Sequence, residues 1–178
     1  EKGLDHIRQS PKDEGVLAMI VRRPQEGQRE VLDEGVLDPV EGLVGDDWRI
    51  KNTKYGTEAD PGFRNNQITL MNSRVVDLVA QAKERWPLAG DQLYVDLDLS
   101  VENLPAGTRL AIGAAVVEVS ALPHTGCKLF KGRFGLDALE FVNSKAAGKP
   151  LRLRGLNAQV VQAGVVRTGD VVRKVIVK

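Results

Sequence analysis

Leu93-Tyr94-Val95-Asp96-Leu97-Asp98-Leu99-Ser100 sets Leu93, Val95, Leu97 and Leu99 on one face and Asp96 and Asp98 on the other. That is the period-two signature of a half-buried strand. Downstream the chain keeps this character. Residues 108–122 are β-rich and broken at Gly113, which suits a turn or bulge. Residues 151–154, 158–163 and 170–177 read as further short strands, separated by Gly155, Gly164 and Gly169. A helix over 136–146 interrupts them, with Leu136, Leu139, Val142 and Ala146 at helical spacing. Upstream, residues 15–23 form an apolar run of strand length, ended by Pro24 and the turn-like Gln25-Glu26-Gly27. Residues 52–66 read as a long polar loop, of the kind that is usually functional or mobile. Gln67-Ile68-Thr69-Leu70-Met71 returns to strand character. The clearest helix starts at the N-capping pair Asn72-Ser73 and runs to about Arg85, with Val75, Val76, Val79 and Ala82 on one face and Pro87 as its stop. Many short strands with glycine turns and two lone helices predict a mostly β (α+β) fold, a β-barrel or folded sheet with peripheral helices. No alternating βαβ series is present, which disfavours a doubly wound parallel sheet.

The chain has 178 residues, 25 Lys plus Arg and 24 Asp plus Glu, a formal charge of +1. This predicts a single domain over 1–178, large enough to fold without a disulfide or structural metal. The charge balance argues against nucleic acid as a partner. No apolar run reaches the ~18–20 residues of a membrane span, and the first residues carry no signal-peptide stretch. Cys127 is the one cysteine, and with only His6 and His124 beside it, thiolate-rich zinc and iron–sulfur sites are excluded. A reducing, cytoplasmic setting is the expectation. His6 falls in a stretch expected to fray.

The densest constellation is Pro123-His124-Thr125-Gly126-Cys127-Lys128-Leu129-Phe130-Lys131-Gly132-Arg133-Phe134-Gly135. A lone cysteine is most often a small core hydrophobe. This one sits in a glycine-flanked loop crowded with cations, between a strand and a helix, where thiolate chemistry is favoured instead. A Cys–His hydrolase is a weaker reading, since a histidine three residues away in a turn does not easily reach the sulfur and no third group orients it. Asp96 and Asp98, at strand spacing, read as the solvated side of a sheet before they read as a metal pair. Asn143 and Asn157 read as helix-end and turn caps, and Gly42-Leu43-Val44-Gly45-Asp46 as a tight turn capped by its acid.

The order of these elements resembles the MOSC domain, the module named after the C-terminal region of molybdenum cofactor sulfurases. The resemblance spans about residues 15–175. It rests on the opening strand, the Gly42–Asp46 turn, Asn66-Gln67-Ile68-Thr69-Leu70, Val101-Glu102-Asn103-Leu104, Pro123-His124-Thr125-Gly126-Cys127-Lys128, and the closing Arg154-Gly155 with Gly164-Val165-Val166-Arg167-Thr168-Gly169-Asp170. It implies a short stand-alone member with a MOSC-type β-barrel. It further implies a molybdenum cofactor (molybdopterin), with Cys127 as metal ligand or sulfur carrier and His124, Thr125, Lys128, Arg133, Asn103 and Asp46 around the pterin. The activity implied is reduction of a small N-hydroxylated substrate, or transfer of sulfur or cofactor, with a redox-donor or sulfur-donor protein as partner. Pyridoxal phosphate is not expected, because it belongs to the fused desulfurase domain of larger relatives. Where the family often has Arg and Gly, this chain has His124 and Val101. The other expectation is accordingly a binding or interaction domain that kept the fold and lost the cofactor.

Overall fold

The computed structural model describes residues 2–176, so Glu1 and the expected strand end at Val177 lie outside the described residues. A helix, α1 (Lys2–Arg8), leads into strands β1 (Glu14–Arg22), β2 (Glu30–Leu32), β3 (Glu34–Asp38) and β4 (Gly42–Leu43). The short helix α2 (Trp48–Asn52), strand β5 (Ile68–Asn72), helix α3 (Ser73–Ala80), a 3-10 helix (Lys83–Ala89) and β6 (Leu93–Asp96) follow. The hairpin β7 (Arg109–Ile112) and β8 (Ala115–Val119) precedes helices α4 (Lys128–Phe134) and α5 (Leu136–Asn143). Strands β9 (Leu156–Gln162), β10 (Gly164–Arg167) and β11 (Val171–Lys174) complete the fold.

Seven strands form a closed barrel in the order β1-β11-β7-β8-β9-β5-β6, and β6 returns to β1. Closure is made by Glu14↔Arg173, Gly15↔Val172 and Val16↔Val171. A closed barrel leaves its strands no free edge. A bulge between Leu17 and Met19 lets β1 serve β11 with its first half and β2 with its last, through Ile20↔Leu32 to Arg22↔Glu30. Strands β10, β3 and β4 make a second, small sheet.

The barrel is filled by Leu17, Ile20, Ile68, Leu70, Leu93, Val95, Leu110, Ile112 and Val117, none with exposed surface. Met19, Val21, Met71 and Tyr94 point outward from the same strands and are buried too, under Val75, Val76 and Ala80 of α3, Trp86, Phe130 of α4 and Val142 of α5. Each such side chain stabilises the fold by about 1.5–3 kcal/mol. The Leu93 strand is thus covered on both faces where half-burial was expected. Its pairing stops at Asp96, although Leu97 and Leu99 remain buried.

The expected mostly β architecture with helices on its periphery is present, with these differences in detail. One βαβ unit occurs, because β5 and β6 run parallel, joined by α3 and the 3-10 helix; it does not repeat. The helix expected to reach Arg85 ends at Ala80, where Gln81 turns left-handed at φ 66° and Pro87 is taken into the 3-10 helix. Residues 151–154 are a turn and not a strand, since Arg152 adopts φ 47° and the Leu151 and Leu153 amides donate to Ala147 and Gly148 carbonyls. His6 belongs to α1, anchored by buried Ile7 and by Arg74 donating to the His6 carbonyl. The 52–66 loop is ordered by its own bonds: the Asn52 side-chain amide to the Phe63 carbonyl at 2.6 Å, and Trp48 Nε1 to Asn66 at 3.0 Å.

Candidate functional site

Where β8 leaves the barrel and β9 enters it, a cleft of about 580 Å³ opens. Its walls are the 120–125 segment, Val142 and Asn143 at the end of α5, Gly148, Lys149 and Arg152 of the following turn, and Gly155 and Leu156. Its size suits a small organic ligand, and its lining is the usual mixture of apolar wall and a few directed polar groups. Two asparagines shape it. Asn157 donates from Nδ2 to the Leu122 and Pro123 carbonyls at 3.2 Å each. Asn143 accepts from the Gly126 amide at 2.8 Å and donates to the Gly126 carbonyl at 3.0 Å. The side chains expected to cap a turn and a helix end thereby pin the 122–126 loop from both sides.

His124 enters the cleft wall with its Nε2 2.9 Å from Oδ1 of Asp91, a carboxylate with no exposed surface. The other oxygen of Asp91 accepts from Arg154 Nη1 at 2.5 Å. Burial pushes the Asp91 carboxyl up, but the charges and hydrogen bonds of Arg154 and His124 outweigh it and hold it at about 2. Against an ionised carboxylate Nε2 carries the proton, which leaves Nδ1 as the ring nitrogen available to a ligand. Arg154 is itself buried; it donates to the Ala89 carbonyl at 2.7 Å and lies with Cζ 5.0 Å from the centre of Phe130, its Nε without a partner. Gly155, at φ 124°, allows this crowding: a Cβ there would stand 2.3 Å from the Leu70 carbonyl oxygen and 3.1 Å from the His124 ring.

Three residues beyond His124, Cys127 is exposed, at the boundary where α4 begins. Thr125 and His124 line the cleft; Cys127, two residues on, does not. Lys128 is exposed beside it. The other expected residues lie apart. Arg133 turns from the cleft to give Nη1 to the Leu88 carbonyl at 2.8 Å. Asn103 donates to the Lys12 and Asp98 carbonyls and accepts from Lys174, tying loops across the barrel end. Asp46 accepts two bonds from the Arg23 guanidinium, at 3.0 and 2.7 Å, and further bonds from the Arg23 and Trp48 amides and Gln92. Asp96 and Asp98 pair with Arg74 and Lys12 instead of forming a metal pair. Asp91, Arg154, Lys149 and Arg152 were not singled out by sequence reasoning as site residues. The sequence offers Arg154-Gly155 only as part of the closing motif, and the pairing of Arg154 with Asp91 discloses its role.

Among the described residues no three His, Cys, Asp or Glu side chains gather to hold a metal ion. A bare ion would find one soft donor, Cys127. A metal that arrives with dithiolene sulfurs already bound needs just that one, so the donor set fits a pterin-bound molybdenum.

The sequence profile of the MOSC domain matches residues 62–173. The chain belongs to the MOSC family. Solved structures agree with this fold. YuaD from Bacillus subtilis is 17% identical with a TM-score of 0.58, over 90% of this chain and 95% of that one. YiiM from Escherichia coli is 19% identical with a TM-score of 0.56, over 92% of this chain and 71% of that one. YiiM from Geobacillus stearothermophilus is 15% identical with a TM-score of 0.54, over 94% and 75%. No curated protein sequence matches the chain. Among the described residues of this MOSC domain no helix is long and apolar enough to cross a membrane.

Proposed function

We propose that this MOSC domain holds a molybdenum cofactor, with Cys127 as the protein's ligand to the metal and the pterin in the cleft beside it. The observation that carries the reading is an exposed thiol two residues after Thr125, which lines a ~580 Å³ cleft together with Lys149 and Arg152. A thiolate is a soft donor suited to a metal already bound by sulfur, and Lys149, with the charge of Arg152 whose Nη1 is given to the Leu99 and Leu104 carbonyls, suits the pterin's phosphate. Thr125 offers a hydroxyl to the ligand. His124, fixed through Nε2 by Asp91, presents Nδ1 as a group that can take or give a proton. Asn143 and Asn157 keep the loop in place. When bound, the cofactor would supply two-electron redox chemistry or a transferable sulfur. The activity in view is reduction of a small N-hydroxylated substrate, or delivery of sulfur or cofactor to a partner protein.

A second reading, an interaction domain that kept the fold without the cofactor, draws on a separate observation. Asp46, Asn103 and Arg133 all spend polar atoms on the protein itself. Expression in a host that makes the cofactor, followed by molybdenum analysis of wild type and Cys127→Ser, separates the two. The cofactor reading expects stoichiometric molybdenum in the wild type and its loss in the variant at unchanged melting temperature. A wild type without molybdenum overturns it in favour of the interaction domain.

A further inference from the structure

Four consecutive carbonyls at the end of the 3-10 helix are each taken by a different arginine. Pro87 accepts from Arg29 Nε at 3.3 Å, Leu88 from Arg133 Nη1 at 2.8 Å, Ala89 from Arg154 Nη2 at 2.7 Å and Gly90 from Arg23 Nη1 at 3.2 Å. Capping the carbonyls of a helix end explains one donor from each. It does not explain the charge. Arg154 is neutralised by Asp91 and Arg23 by Asp46. Among the described residues, Arg29 and Arg133 have no carboxylate in ion-pair contact; apart from the capping bonds, Arg29 gives only Nη1 to the Gln28 carbonyl. The neighbouring acids are engaged, Glu30 by Arg22 and Asp47 by Lys51.

The two unneutralised guanidiniums come together over the same side of Gly90. Arg133 Nη1 and Arg29 Nη2 lie 3.7 and 3.9 Å from the point where a Cβ on Gly90 would stand, and its φ of 91° keeps that position for glycine. Burial, then the positive charges of Arg133 and Arg23, push the Arg29 guanidinium below its ordinary value, a mark of like charges held together. Among the described residues, Arg29 Nη2 and the Nε and Nη2 of Arg133 have no hydrogen-bond partner. Both side chains are half-buried, so the donors are pre-positioned and yet reachable.

We propose that the Arg29–Arg133 pair over Gly90 is an anion site, separate from the cleft, that takes the phosphate group of a small phosphomonoester. Two guanidinium forks offer several donors to one tetrahedral dianion, which monovalent chloride cannot use. The site stands on its own geometry and needs neither Cys127 nor molybdenum.

The test titrates the purified full chain with inorganic phosphate and with glycerol phosphate against chloride at equal ionic strength, following melting temperature and backbone amide shifts. Saturable stabilisation is expected, with the largest shift at the Gly90 amide and little at Thr125 or Asn143. Arg29→Gln and Arg133→Gln should each weaken binding about 10- to 100-fold, the range for losing charge-assisted hydrogen bonds. Arg29→Lys, which keeps the charge and loses the fork, should weaken it less than Arg29→Gln. Cys127→Ser should leave it unchanged. Binding by glycerol phosphate but not inorganic phosphate would still support the site and assign it to the ester. No stabilisation beyond chloride in the wild type overturns the proposal, and so do shifts that centre on Thr125 and Asn143.

Discussion

His124 is gripped through Nε2 by a carboxylate that has no exposed surface, whereas Cys127, three residues on, is exposed and makes no side-chain hydrogen bond among the described residues. One six-residue motif therefore has two mechanical regimes. Its first half belongs to a buried charge network that reaches through Asp91 to Arg154 and the 3-10 helix. Its second half is clasped at Gly126 by the Asn143 side chain, and beyond that clasp the Cys127 sulfur is exposed. A buried network of this kind is costly to break and contributes little net stability over an apolar replacement. Its specific effect here is positional: it fixes which face of the imidazole looks into the cleft.

The contrast can be broken first at Asp91. Asp91→Asn leaves the buried Arg154 charge uncompensated and should cost about 3–5 kcal/mol. The melting temperature should then fall by about 10 °C, read by calorimetry or circular dichroism. Acid is the second lever. The folded carboxyl at about 2 lies below its ordinary 3.8, so between these values the unfolded chain binds the extra proton. Stability should thus be complete above pH ~4 and fall by about 2 kcal/mol as pH drops through 2. Urea unfolding across that window checks the sign; stability that rises on acidification contradicts an ionised Asp91.

Part of this was legible before any coordinates, and the boundary is physical. Alternation announces β6, and Gly113, Gly155 and Gly169 announce turns beside the later strands, because both are local properties of the chain; Gly164 instead opens β10. The α4 helix was hidden by Gly132 in its middle and by its lysines, which read as a basic loop. The 151–154 segment alternates like a strand, but Arg154 turns inward to a carboxylate 63 residues away in sequence. No periodicity records such a pairing. Cys127 was visible from its flanking glycine and cations, while Asp91, a single acid after Gly90, gave no local signal at all.

Two smaller effects sharpen the comparison. Asn143→Ala removes both bonds that clasp Gly126 and should cost about 1–2 kcal/mol. Its more telling readout is hydrogen exchange: the Gly126 amide should lose protection while His124, held separately, keeps its ring environment. Cys127→Ser should change stability by less than about 0.5 kcal/mol, as expected of an exposed site away from the core. Iodoacetamide should modify Cys127 in the native protein without prior unfolding. A thiol that reacts only in denaturant would place it in the interior and remove the contrast.

The pairing of β1 with β11 has a consequence for the order in which the protein is made. The first strand of the barrel closes against the last, with Gly15 opposite Val172. On the ribosome, β1 emerges early and its outer edge stays unpaired until some 150 further residues have followed it. Until β11 clears the exit tunnel, that edge is a template for any other extended chain nearby. The half of β1 that will not meet β11 finds β2 within a few residues of synthesis, which confines the unguarded stretch to the residues before Ile20, among which Leu17 waits for the equally late Gly169 and Asp170. The Leu17–Met19 bulge that divides β1 between two partners also divides its exposure in time.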